Sequence, residues 1–372
     1  MYICPAEEQI HEKGDLPWLR LANSILQVNV FTRPWTHKKS WKVSIFTEHF
    51  EHKTFTQPPD TEVLVRYLQR NFPGADYQVV YEAGFCGFWI HDRLREKGVN
   101  CIVVNPADVP TTDKEKKTKS DPVDSRKMAR SLRNGELKGI YVPQREKVED
   151  RSLVRTRHAM VKKQTRCKNQ IKSILYFYGI VIPEELAEGH WSRKFINWLT
   201  EIQMTRASGN IALKTLLSEL LYLRQTVSDL TKEIRRLAHS QEYAENHRLL
   251  KSVIGISTLT AMTFLTELVD INRFKNLNTL ASYVGLIPDV QGSGEKETTT
   301  GITTRRNPQL RGILIEAAWI AARKDPAIMM AYNQLLTKVS KKIAIVKIAR
   351  KMLNRIRYVL KNKQEYVPAV VQ

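Results

Sequence analysis

Leu213, Leu216, Leu220, Leu223, Val227, Leu230, Ile234 and Leu237 recur alternately three and four residues apart, and no other feature of the sequence limits its fold so tightly. A 3.5-residue period keeps one seam of a helix against a partner helix, which is coiled-coil geometry. Two partners satisfy the pattern equally: the basic helix that precedes it in the chain, or the same helix in a second copy. That preceding helix is itself legible. Met160, Cys167, Ile171, Ile174 and Tyr178 follow three- and four-residue steps, while Arg155, Arg157, Lys162, Lys163, Arg166, Lys168 and Lys172 crowd the rest of its surface. Gly179 and Pro183 separate the two.

On either side of these helices the pattern changes. Upstream, Trp41, Val43 and Ile45 alternate with polar residues as a half-buried strand does, and His52–Phe55 reads as a second strand closed by Gln57-Pro58-Pro59. Thr61–Arg70 reads as a helix, Tyr77–Tyr81 as a strand, Gly87–Lys97 as a helix and Asn100–Val104 as a strand. Asp121–Leu132 reads as a helix with acidic residues in its first turn, where the helix dipole favours them. A hairpin followed by alternating helices and strands is an α/β arrangement. Downstream, Thr258–Val269 is amphipathic, Asp289–Thr304 reads as a polar loop, Asn307-Pro308 marks a helix start, and a basic helix spans roughly Lys338–Asn362.

The expected fold class is therefore α/β plus all-α. An unplaced segment covers residues 1–36, with a short helix near Leu19–Leu26 and an alternating Leu26, Val28, Val30. An α/β domain follows over 37–145, a helical coiled-coil region over 146–245 and a helical C-terminal domain over 246–372.

Lys and Arg total 59 against 38 Asp and Glu, a formal net charge of +21. Such an excess draws in polyanions and repels itself unless one is bound, so nucleic acid is the expected partner. A hydrophobic fraction of 42% supplies enough apolar material for real cores and excludes a wholly disordered chain. No apolar run reaches the ~18 residues of a membrane span, and no signal-peptide layout is present, so membrane insertion and secretion are not expected. Cys4, Cys86, Cys101 and Cys167 form no C-x-x-C pair, which argues against a zinc ribbon or a disulfide framework and fits a reducing, cytoplasmic setting.

Metal-assisted phosphoryl transfer needs carboxylates converging on divalent ions, and hard oxygen-rich sites suit Mg2+. Glu82 closes the strand Tyr77–Tyr81, and Asp121 and Asp124, three apart, share one helix face. The two aspartates are equally the residues that cap a helix N-terminus. Ser293, in Gln291-Gly292-Ser293-Gly294, is flanked by glycines that uncover its hydroxyl. It reads as a nucleophile if a metal or base activates it, and otherwise as a loop serine. Gly255, in an apolar turn between two helices, either offers a backbone N–H to a phosphate, as in a helix-hairpin-helix element, or simply ends a helix. Arg305, Asn307 and Arg311 are further candidate nucleic-acid contacts, as is the Lys-rich stretch 111–120; ordinary solvated surface is the alternative.

Taken together, HKKSWKVSIF, YEAGFCGFWIHDRLREKGVNCIVVNP, KSDPVDSRKMARSLRNGELKGIYVP, ASYVGLIPDVQGSGEK and GITTRRNPQLRGILIEAAW resemble one family in order and spacing. It is the DEDD transposases of the insertion-sequence family numbered one hundred and ten, which includes the Piv-type DNA invertases. The resemblance runs from about His37 to about Asn362. It implies an N-terminal RuvC-like (RNase H) domain, a coiled-coil middle and a C-terminal transposase domain. It also implies four acidic residues that bind Mg2+, a serine that forms a phosphoserine link with DNA, and a homo-oligomer. In several members a structured guide RNA from the element directs the protein to DNA. Residue by residue, Glu82 matches the family's glutamate, Asp121 and Asp124 its last two aspartates, and Ser293 the serine before glycine.

The first aspartate has no counterpart. The family places it two residues before the histidine aligned with His37, where this chain has Trp35. Tryptophan cannot ligate Mg2+, and Pro34 is unsuited to a central strand. Arg306 and Ser257 also stand where glycines are usual. The resemblance thus implies a DNA transposase or site-specific recombinase, with Ser293 as nucleophile and Glu82, Asp121 and Asp124 on the metal. One alternative is a catalytically impaired relative that binds nucleic acid without cleaving it, to which Trp35 points. Another is a metal-dependent nuclease in which Ser293 is structural.

Overall fold

A computed structural model of the chain describes residues 25–31, 40–112, 120–187, 191–293 and 296–368. The chain is mostly helical with an α/β region at its N-terminal side, and it divides into two compact units, Met1–Val142 and Pro143–Gln372.

The first unit is built on a five-stranded sheet. Its strands are β1 (Ile25–Phe31), β2 (Trp41–Phe46), β3 (Glu51–Gln57), β4 (Asp76–Glu82) and β5 (Asn100–Val104), in the order β3-β2-β1-β4-β5. β2 runs antiparallel to β1 and β3, whereas β1, β4 and β5 are mutually parallel. Helices α1 (Thr61–Asn71), α2 (Trp89–Glu96) and α3 (Asp121–Arg133) complete the unit. The arrangement is compatible with an RNase H-like domain.

The period-two alternation of a strand explains how both faces of β4 are used. Val79 and Tyr81 join a core with Leu64, Leu68, Ile90 and Leu94 of α1 and α2. Val80, between them, points to the opposite face and packs with Val104, Val109 and Met128 of α3. β1 sits in the middle of this sheet. Ile25–Phe31 therefore departs from the expectation that residues 1–36 stand outside the domain, and the Leu26, Val28, Val30 alternation was the relevant signal. Ile25 and Leu26 are strand, not helix; Leu19, Pro34, Trp35 and the Lys-rich residues 113–119 lie outside the described residues.

The second unit contains α4 (Arg145–Phe177), the single-turn α5 (Glu184–Ala187), α6 (Arg193–Glu201) and α7 (Ala207–Ala238). These are followed by α8 (Ala244–Lys251), α9 (Thr258–Leu268) and α10 (Leu277–Val284), the hairpin β6 (Pro288–Ser293) and β7 (Lys296–Ile302), then α11 (Pro308–Lys324), α12 (Pro326–Leu336) and α13 (Lys341–Asn362). The 3.5-residue seam finds its partner within the chain: Leu213, Leu217, Leu220 and Leu223 of α7 pack on Cys167, Ile171 and Leu175 of α4. The buried phase is slightly off the expected one. Leu217 replaces Leu216 in the fully buried row, and Tyr178 is 59% exposed.

The Asp289–Thr304 stretch is a two-stranded antiparallel ribbon, not a loop, with Ser293 paired to Lys296 beside its tip. Its run of threonines, Thr298–Thr300, has the β-branched character of a strand, which the polarity of the segment obscures. Among the described residues no helix is long and apolar enough to cross a membrane.

Candidate functional site

The carboxylates singled out in the first unit share a face and an end of the sheet. Glu82 is the last residue of β4, two beyond Val80, so the strand's alternation puts it on the face that α3 covers. The register gives the position along the strands. Phe31 at the end of β1 pairs with Lys42, and the parallel β1–β4 ladder ends at Asn29 with Val80, so the same step carries β4 on to Glu82 at that level. The Ser125 hydroxyl donates to the Lys42 carbonyl at 3.4 Å, which fixes the first turns of α3 over that same end. Asp121 and Asp124 occupy those turns, on the stripe that continues to buried Met128.

The first turns of α3 are electrostatically unusual. Asp124 is 5% exposed and Lys127, one turn on, is 7% exposed. The Lys127 ammonium lies 3.5 Å from Asp124 Oδ1 and donates to Thr111 Oγ1 at 3.3 Å. Asp121 Oδ1 and Asp124 Oδ2 are buried atoms that accept no hydrogen bond, although both residues, like Glu82, have other interactions. A buried carboxylate oxygen without a donor is costly. Ser120, at the N-cap position, makes no side-chain cap, so the aspartates' placement in the first turn also suits the helix dipole. Burial, the largest effect, pushes the Cys101 thiol of β5 up to about 12, far from the thiolate.

Of the candidate nucleic-acid contacts of the second unit, Asn307, Arg311 and Gly255 are employed inside the fold. The Asn307 side-chain Oδ1 accepts from the backbone N–H groups of Gln309 and Leu310 as the α11 cap, and its Nδ2 donates to Glu267 Oε2 at 2.8 Å. Arg311 Nη1 donates to the carbonyls of Gly285 and Thr303. Gly255 has φ +95°, and a Cβ there would lie 2.5 Å from the Ala317 carbonyl oxygen. Close helix packing therefore requires this glycine, whether or not its N–H meets a phosphate. Arg305 is exposed. Ser257, in place of a glycine, caps α9 by accepting from the Thr260 N–H at 3.1 Å. Ser293 stands at the end of β6, next to the hairpin tip.

Two sequence profiles match the chain. One, a transposase profile for DEDD enzymes of the IS110 type, covers residues 36–180; the other, described as the transposase IS116/IS110/IS902 family, covers residues 247–334. The chain belongs to the IS110 family of DEDD transposases. Members it resembles include the transposase for insertion sequence element IS1111A of Coxiella burnetii, 27% identical over 77% of this chain and 74% of that one. The transposase for element IS1533 of Leptospira borgpetersenii is 26% identical over 64% of this chain and 69% of its own. The transposase-like protein y4qE of Sinorhizobium fredii is 29% identical, and the match spans 57% of its length.

The DEDD transposase domain implies a divalent metal ion, typically Mg2+. The residues present agree with it in kind: an all-oxygen set of hard donors, two of them with a buried oxygen that has no hydrogen-bond donor. They do not close into a ready-made cage, since no group of three His, Cys, Asp or Glu side chains among the described residues is placed to hold an ion. The β1 sequence, ILQVNVF, contains no carboxylate, and the first DEDD profile begins at residue 36, beyond that strand.

Other important residues of this IS110-family chain escape a linear reading. Glu267, fully buried, takes a bidentate pair from Arg155 Nε and Nη2 at 2.6 and 2.8 Å. This hydrogen-bonded pairing raises the Arg155 pKa, whereas burial lowers that of Arg151 beside it. Asp325, also buried, caps α12 and accepts from Arg355 Nη1 at 2.6 Å and the Tyr366 hydroxyl at 2.8 Å. Lys127 is the third. For Glu267 a lone acid in an apolar run is the available signal, but its partner Arg155 lies 112 residues away and cannot be named from spacing.

Proposed function

We propose that this chain is an insertion-sequence transposase that cuts and rejoins DNA. In this reading Glu82, Asp121 and Asp124 hold Mg2+, and Ser293 is the nucleophile. The observation that supports it most is the placement of Glu82 and the first turns of α3 on one face and at one end of the sheet. Mg2+ is commonly held by one or two carboxylates, with several waters kept in its shell, so an open set of donors suits this ion in the DNA-free chain as well as with substrate phosphate oxygens present. When bound, the ion supplies electrostatic stabilisation of the charge that builds on the phosphate oxygens. Lys127 holds Asp124 in place beforehand.

The Ser293 oxygen attacks the scissile phosphorus. An Oγ–P bond forms, the bond from phosphorus to one of its ester oxygens breaks, and the freed DNA hydroxyl gains the proton that serine loses. Attack by a hydroxyl of another strand reverses these changes and rejoins DNA, with the ester bond conserved and no nucleotide cofactor spent. Arg305 and the lysine-rich surface neutralise backbone phosphates. A homo-oligomer and an element-encoded guide RNA complete the proposed assembly.

One observation favours a second reading, a nucleic-acid binder that does not cut: the central strand β1 carries no carboxylate. Incubating the protein with Mg2+, element-end DNA and the element's RNA separates the two. A covalent protein–DNA adduct that disappears in Ser293→Ala supports the transposase. Cleavage that survives this change points instead to a metal-only nuclease, and salt-sensitive binding with neither adduct nor cleavage to the binder.

A further inference from the structure

The last helix, α13, carries eight Lys or Arg residues and no Asp or Glu over Lys341–Asn362. Its apolar stripe, including Ile345, Ile348, Met352 and Ile356, is buried, so the charged residues are confined to the remaining faces. On one of those faces lies an open groove of about 530 Å³. Lys347, Arg350, Lys351, Asn354 and Arg355 form one side of it, with Leu277 and Ala331 among the apolar residues opposite.

Two of its cations are fixed and two are free to bind. Arg350 donates to the Leu286 carbonyl and to Asn278 Oδ1, both at 2.7 Å, and Arg355 is held by Asp325 at 2.6 Å. Lys347 and Lys351 are exposed, one helical turn apart, and neither ammonium has a hydrogen bond or ion pair among the described residues. Two ammonium groups backed by two anchored guanidinium groups create a positive field, and no acidic residue is among the described residues that line the groove.

We propose that this groove is a docking site for the phosphodiester backbone of duplex DNA, with Lys347 and Lys351 contacting phosphates and Asn354 adding a hydrogen bond. No aromatic ring lines the groove. Single-stranded DNA and the unpaired loops of RNA are gripped chiefly by stacking their bases on aromatic side chains, which this surface does not offer. Backbone contact without stacking is how a duplex is positioned. The inference rests on the reading of the chain as one that acts on DNA. Its test scores binding alone, so failure to cleave DNA and failure of this groove are separately visible.

The test measures binding of the full-length chain to a fluorescent DNA duplex across a salt series. Each lost phosphate contact on B-DNA reduces the slope of log K against log salt by about 0.9. Lys347→Ala/Lys351→Ala is expected to flatten the slope by about 1.8 and to weaken binding roughly 10-fold or more at low salt, with its melting temperature unchanged. Asn354→Asp, which leaves both lysines in place, is expected to weaken duplex binding in the same direction. An unchanged slope in the double variant overturns the site. So does a loss seen with single-stranded DNA or RNA probes but not with the duplex.

Discussion

The buried carboxylates of the two units are treated in opposite ways. In the second unit, Glu267 is closed off by Arg155 and Asn307, and Asp325 by Arg355, Tyr366 and the Ile328 N–H. Each joins elements far apart in sequence, and each charge is matched locally. In the first unit, Asp121 and Asp124 keep a buried oxygen that no hydrogen bond reaches, and Lys127 is the cation close to Asp124. Saturated carboxylates of the first kind hold a fold together, since removing one partner strands a buried charge. Carboxylates of the second kind stand in the first turns of a helix over the end of a sheet, where their charge faces the helix N-terminus. The comparison separates two roles that the same residue type plays in one chain.

The sharpest way to break this contrast is to neutralise each kind in turn. Asp121→Asn and Asp124→Asn are each expected to lower DNA strand cleavage by at least about 100-fold, as measured on labelled element-end DNA. Cleavage within a few-fold of the parent chain would remove them from the metal site. Glu267→Ala should instead act on stability. Urea denaturation is expected to show a loss of roughly 3–5 kcal/mol, because the largely buried Arg151 guanidinium loses its counter-charge and the Asn307 amide its acceptor. A loss below about 1 kcal/mol would mean that the pair is dispensable.

A smaller effect tests whether Gly255 belongs to packing. Gly255→Ala forces a Cβ toward the Ala317 carbonyl at a left-handed backbone position. It is expected to cost about 1–3 kcal/mol, with DNA binding by the folded fraction unaltered. Weakened binding at full stability would return this glycine to the DNA interface. The smallest effect is the pH response of His247, whose ring makes a 3.2 Å hydrogen bond with Thr258. Burial, then His239 and Lys251, lower its pKa below the usual value near 6.5. Its neutral form therefore stabilises the fold above that unfolded-state value, and the contribution is lost as pH falls below it toward the folded-state pKa. His247→Gln should flatten the fall in melting temperature between neutral pH and mildly acidic pH; an unchanged profile would exclude this histidine as a source.

Much of the first unit was legible because its signals are local. Glu82 at a strand end and Asp121 with Asp124 in a helix's first turn are short-range patterns, and the structure places them on one side of the sheet. The burial of Asp124 against Lys127 was not legible, because amphipathic spacing assigns both to the polar class. Glu267 was hidden for a different reason: its partner Arg155 lies 112 residues earlier, and only the packing of α9 on α4 unites them. The Leu26, Val28, Val30 alternation of β1 is only three apolar residues long and is followed closely by Pro34, too short a pattern to place the strand at the centre of a sheet. In α7 the buried row takes Leu217 in place of the neighbouring Leu216 and returns to the expected positions at Leu220 and Leu223, a choice between adjacent leucines that spacing alone does not decide.

The most direct measurement of the central claim is the thermal stability of the full-length chain as Mg2+ is titrated, in the absence of DNA. An ion held by the folded carboxylates stabilises the chain by mass action. The parent chain should show a saturable rise in melting temperature that is lost in Asp121→Asn/Asp124→Asn. An equal rise in both proteins, or no rise in either, would contradict a metal site at this end of the sheet.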